Sequence, residues 1–130
     1  KIIVKIRNSK KETLNDYLEK IFELYNKNEN IDDIISANNL TIIQFGSESC
    51  GPCFSIKHKI DDWLSMHPTV NNRYIPVEDF QAIAAQHDVF GVPTTILYCQ
   101  GKEVIRRSRY YSLDEILFKG EDLLKIMENN

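Results

Sequence analysis

Apolar positions along this chain switch between a period of three to four residues and short unbroken runs, and the switches divide it into alternating helices and strands. Ile2, Ile3, Val4 and Ile6 form a brief β-branched run of strand type. Ser9 and Glu12 then stand at capping-box spacing, and Leu14, Tyr17, Leu18, Ile21, Phe22 and Tyr25 follow as one stripe, which predicts an amphipathic helix. Residues 26–30 read as a polar linker with three asparagines, after which Ile31, Ile34 and Ile35 predict a short helix ending near Asn38 and Asn39. Both stripes need a sheet or a partner to cover them.

Leu40 to Phe45 is an apolar run of strand length, suited to a strand buried on both faces, and Gly46-Ser47-Glu48-Ser49 breaks it. From Cys53 the positions Ile56, Ile60, Trp63 and Leu64 return to helical spacing, so a helix is expected to about His67, stopped by Pro68. Tyr74 to Val77 is a second strand, and Phe80, Ile83 and Ala84 mark a helix near Phe80 to His87, giving a strand-helix-strand crossover. Gly91-Val92-Pro93 leads into a strand over Thr94 to Cys99, and Gln100-Gly101 is a hairpin turn into an antiparallel strand, Val104 to Arg107. Ser112 and Glu115 repeat the capping-box spacing ahead of a last helix that carries Ile116, Leu117, Leu123, Leu124 and Met127 inward, with Gly120 expected to kink or loosen it. These elements predict an α/β fold in three layers, a central mixed sheet with helices on both faces.

Composition adds bounds. With 42% hydrophobic and 27% charged residues, the 130 residues fit one compact domain, and no linker is long enough to divide it. Sixteen basic against nineteen acidic side chains give a net charge of -3, which offers nothing for nucleic acid. No apolar run reaches the ~18 residues that span a bilayer, and no signal-peptide pattern is present. Cytoplasmic location is the expectation. Because the chain begins at Lys1 rather than Met, an extracytoplasmic protein that has lost a signal or anchor is the alternative.

The chemistry lies in Cys50-Gly51-Pro52-Cys53. Three cysteines are too few for a disulfide scaffold, and Cys99 reads as a small hydrophobe ending its strand. A Cys-x-x-Cys pair closes a small disulfide ring or supplies half of a zinc site. The other available ligands, Cys99, His58, His67 and His87, form no second pair at ligand spacing, so no metal is expected. At a helix N-terminus the first thiolate gains from unpaired N–H groups and the helix dipole, which favours Cys50 as nucleophile and leaves Cys53 to resolve the mixed disulfide. Glu48 would oppose that effect unless it faces solvent. A proton-shuttle role for His58 is disfavoured by its helical face; His67 and His87, near helix ends, suit the C-terminal dipole, and Trp63 suits packing.

Phe45, the motif after a buried strand, and Gly91-Val92-Pro93-Thr94 before the next strand resemble the thioredoxin family over about Ile31 to Met127. That resemblance implies the thioredoxin fold for residues 31–127, with 1–30 as an N-terminal strand and helix extension. It implies a protein-disulfide oxidoreductase cycling through Cys50 and Cys53, with Gly51 and Pro52 holding the motif loop in the family's reducing form. It implies a cis peptide before Pro93, with Val92 and Pro93 binding the substrate chain as a short added strand. No bound cofactor is implied; electrons would come from an NADPH-dependent flavoprotein reductase of the thioredoxin-reductase type, and the substrates would be protein disulfides.

Departures from the family pattern are as informative. Gln44 stands where thioredoxins usually bury an acid, and Tyr74 where a lysine commonly neighbours it. Ser49 and Phe54 flank the motif in place of an aromatic and a basic residue, and His58 replaces a helix proline. Arg106-Arg107-Ser108-Arg109-Tyr110 occupies the region of a late glycine, as a basic, aromatic rim or a charged edge strand. Two alternatives therefore remain: a tethered or exported oxidoreductase with a specialised partner, and a thioredoxin-fold adaptor with vestigial redox activity.

Overall fold

The computed structural model describes residues 30–129, together with 14 and 15, which are helical. The predicted N-terminal strand and most of the first amphipathic helix lie outside the described residues. From residue 30 the order is α1 (Ile31–Ala37), β1 (Leu40–Gly46), α2 (Gly51–Ser65), β2 (Asn71–Pro76), α3 (Gln81–Gln86), β3 (Thr94–Cys99), β4 (Lys102–Ser108) and α4 (Asp114–Glu128).

Among the described residues the strands form one sheet in the order β2-β1-β3-β4. β1 pairs parallel with β2 and antiparallel with β3, and β3 pairs antiparallel with β4 across a register shift between Leu97 and Tyr98. The sheet is therefore mixed, as expected. Every residue of β1 is buried, which accounts for its unbroken apolar run in place of alternation.

Alternate residues of the central strands feed two separate cores. Ile43, Phe45, Ile96 and Tyr98 point to one face and pack with Ile31 and Ile35 of α1 and Ala84 of α3. Leu40, Ile42 and Leu97 point to the other and pack with Ile60 and Trp63 of α2 and Ile116 of α4. Helices thus cover both faces, and the predicted three layers are present.

Helix ends explain most boundaries. Asn30 Oδ1 accepts the N–H groups of Asp32 and Asp33 at 2.9 and 3.3 Å and starts α1. α2 ends at Ser65, two residues short of the expected His67. His67 Nδ1 and His87 Nδ1 each lie 2.8 Å from the carbonyl oxygen four residues earlier, at the C-terminal ends of α2 and α3, where their positions suggested they would sit.

Two local expectations are corrected. The capping box at Ser112 and Glu115 does not form: Leu113 is the cap residue of α4, and Glu115 is drawn instead into a two-bond pair with Arg107 of β4, at 3.2 and 2.9 Å. A bidentate guanidinium–carboxylate contact outcompetes one N–H donor for the same carboxylate. Nor does Gly120 interrupt α4. It is buried inside a continuous helix, and a Cβ there would come within 3.1 Å of the Trp63 ring, so the glycine permits close approach of α4 to α2.

Candidate functional site

Cys50 is the N-cap of α2 in extended conformation, and its Sγ accepts the N–H of Cys53 at 3.2 Å. Gly51 and Pro52 are the first two helical residues, where a missing proline N–H costs nothing. Cys50 and Cys53 are joined as a disulfide, with Cα atoms 5.4 Å apart. Their exposures differ sharply. Cys50 is half-buried at the surface, whereas Cys53 is 0% exposed.

The loop ahead of the motif is held by a residue that sequence reasoning did not single out. Glu78, just beyond β2, accepts the Ser47 hydroxyl at 3.0 Å and the Glu48 N–H at 3.1 Å through one carboxylate oxygen. Ser47 carbonyl oxygen in turn accepts the N–H of Cys50 at 3.1 Å. Glu48 itself is exposed, as its side chain needs to be if it is not to oppose the helix dipole at Cys50. The only cue to Glu78 in the sequence was an acid following a short strand.

Behind the motif, Gln44 is 3% exposed and its Nε2 donates to Cys53 O at 2.7 Å. A neutral amide thus fixes the backbone of the inner cysteine from β1. A small cavity beside it is also lined by Lys57, Asp61 and Tyr74. Lys57 is largely buried and pairs with Asp61 one turn along α2 at 2.9 Å. Burial, with a smaller contribution from the Glu78 carboxylate, drives the Tyr74 phenol well above the ordinary tyrosine range, so it stays neutral. Tyr74 also lies across Gly46, where any Cβ would run into its ring.

The second half of the site comes from the loop before β3. The Val92–Pro93 peptide is cis, in agreement with the resemblance. Phe45 at the end of β1 is paired with Thr94 at the start of β3, and that rung sets the motif loop beside Val92 and Pro93. Thr94 Oγ1 donates to Gly91 O at 2.7 Å and fastens the loop. Cys50, Pro52, Val92 and Pro93 line one open groove of about 900 Å³, and Arg109 and Tyr110 line it as well. The four sequence-selected groups, Cys50, Cys53, the Gly51-Pro52 turn and Val92-Pro93, are therefore neighbours. His58 is exposed on α2, and Cys99 is a free, half-buried thiol at the far end of β3.

The family model for thioredoxin matches residues 22–118. This chain belongs to the thioredoxin family. It is 35% identical to a thioredoxin of Chlamydia trachomatis over 78 residues, 60% of this chain and 76% of that one. It is 26% identical to thioredoxin-2 of Pyricularia oryzae over 72 residues, 55% of this chain but 42% of that protein's length. A solved thioredoxin variant from Halobacterium salinarum superposes with a TM-score of 0.63 at 27% identity, covering 72% of this chain and 81% of the other. The family's chemistry is thiol–disulfide oxidoreduction on protein disulfides, with the electrons held on two cysteine sulfurs and no bound cofactor. The Cys50–Cys53 pair is this thioredoxin-family chain's counterpart. No helix among the described residues is long and apolar enough to cross a membrane.

Proposed function

We propose that this chain, as a single thioredoxin-like domain with its core in residues 31–127, reduces disulfides of partner proteins. In the reduced form the Cys50 thiolate attacks one sulfur of the substrate disulfide. A Cys50–substrate disulfide forms, and the other substrate sulfur leaves as a thiolate that takes up a proton. Cys53, deprotonated, then attacks the Cys50 sulfur; the Cys50–Cys53 disulfide forms and the second substrate sulfur leaves. Two electrons have passed to the substrate.

The observation that carries this reading is the difference between the two sulfurs. Cys50 caps a fifteen-residue helix at the edge of an open groove, where N–H groups favour a thiolate, while Cys53 is sealed one turn inside. Val92 and Pro93 are the groove edge against which an extended substrate chain would pair. Re-reduction is assigned to an NADPH-dependent flavoprotein reductase, in a reducing compartment such as the cytoplasm.

Insulin disulfide reduction with dithiothreitol as donor tests the assignment without needing the reductase. The parent should turn over, Cys50→Ser should be inactive, and Cys53→Ser should accumulate a mixed disulfide through Cys50. Equal turnover in the parent and Cys50→Ser would remove the catalytic reading and leave the adaptor one.

A further inference from the structure

We propose that Arg109 makes the groove beside Cys50 select partner proteins that carry an acidic side chain within a few residues of the disulfide to be reduced. This rests on the disulfide-reducing function above and adds its substrate class.

Three arginines crowd the end of β4, and two are already committed. Arg106 binds the Glu103 carboxylate at 2.9 and 3.0 Å and the carbonyl oxygens of His87 and Asp88. Arg107 binds Glu115. Arg109 forms no ion pair among the described residues, and among those residues it is the one charged side chain that lines the groove.

Its position is built rather than incidental. Arg109 has φ +69°, a left-handed conformation that a side chain adopts at a cost and that glycine takes freely. Its N–H donates to Pro93 O at 2.7 Å, tying it to the loop that faces Cys50. The guanidinium rests on the bare backbone of Gly91: a Cβ there would fall 2.6 Å from Nε and 3.1 Å from Nη2. Gly91 does not have positive φ, so its own backbone does not demand glycine. The space left by its missing side chain is filled by Arg109.

An exposed cation resting on Gly91, in a groove with no other charged side chain among the described residues, favours an approaching carboxylate and repels an approaching lysine, mainly through encounter and orientation. The site is open, so the preference should be modest and sensitive to salt.

The test uses three disulfide peptides blocked at both ends, which removes terminal carboxylates, differing only in Glu, Gln or Lys beside the cysteine. In the parent at low salt, kcat/KM for the Glu peptide should exceed that for Gln by roughly two- to fivefold and that for Lys by on the order of tenfold. Both ratios should shrink toward one at 0.5 M salt. Arg109→Gln should flatten them at low salt, and Gly91→Ala, which keeps the charge but displaces the guanidinium, should lower them. Equal use of the three peptides by the parent, or ratios unchanged in both variants, would overturn the proposal while leaving disulfide reduction intact. Failure of the parent to reduce any of them, with insulin reduction also absent, would overturn both.

Discussion

Replacing Gln44 by aspartate tests the interior of the site most directly. Gln44 is almost wholly buried and gives its one well-placed donor to Cys53 O. Gln44→Asp removes that bond, at about 0.5–1.5 kcal/mol, and puts an ionisable carboxyl where water is scarce. Desolvation of this kind raises a carboxyl by on the order of two units from its ordinary value near 3.9, and each unit corresponds to about 1.4 kcal/mol. The folded variant then holds a proton that the unfolded chain has already released. Relative to the parent, its stability should therefore already be lower by about the lost bond near pH 4, fall by a further ~2–3 kcal/mol as pH rises to about 6, and stay flat above that. Urea unfolding of both proteins at several pH values between 4 and 8 measures the difference. A stability gap that does not change over that range would refute the description of this position as desolvated. If the ionised carboxylate, beside the Cys53 backbone, serves as base for the Cys53 thiol, release of a Cys50 mixed disulfide should speed up near neutral pH in stopped-flow measurements; an unchanged rate would deny it that role.

Two further outcomes follow from contacts described above. Glu78→Ala should free the Glu48 N–H and the Ser47 hydroxyl, so amide exchange at Glu48 should accelerate while the exchange of β1 amides is unchanged; no acceleration would mean that the carboxylate does not hold this loop. Burial above all, then the Glu103 carboxylate, pushes the Tyr98 phenol up to about 12, above its unfolded value of 10.0. The folded state thus resists losing this proton, stability drains away between those two pH values, and Tyr98→Phe should reduce the loss of urea resistance between pH 10 and 12.

Elements whose stability comes from a buried stripe or run were legible in the sequence. β1 and α2 declare themselves by Leu40 to Phe45 and by Ile56, Ile60 and Trp63, because burial against a sheet imposes those periods. The cysteine pair and Pro93 were legible for the same local reason: a short motif beside a strand or helix end. Features made by contacts distant in sequence were not. Glu115 has the right spacing for a cap, yet Arg107 on a neighbouring strand claims it. Gly120 looked like a helix defect because nothing nearby in sequence reveals that Trp63 packs there. Gln44 and Tyr74 stood out as departures from the family pattern, but the donation to Cys53 O depends on which face of β1 Gln44 occupies, and the overlap of Tyr74 with Gly46 depends on the pairing of two strands. The role of Glu78 needed the β2–α3 turn to lie against the motif loop.

The rung between Phe45 and Thr94 has an evolutionary consequence. It joins the two halves of the site through backbone hydrogen bonds of the central strands, so their separation does not depend on which side chains surround the groove. The wall formed by Arg109 and Tyr110 comes from the segment after β4, at the margin of the sheet, and Tyr110 is 99% exposed. If this wall selects partners as proposed, substitutions there would alter which proteins are welcomed without shifting one sulfur relative to the other. On that proposal, a lineage could exchange clients by editing a few peripheral codons while inheriting its electron chemistry unchanged.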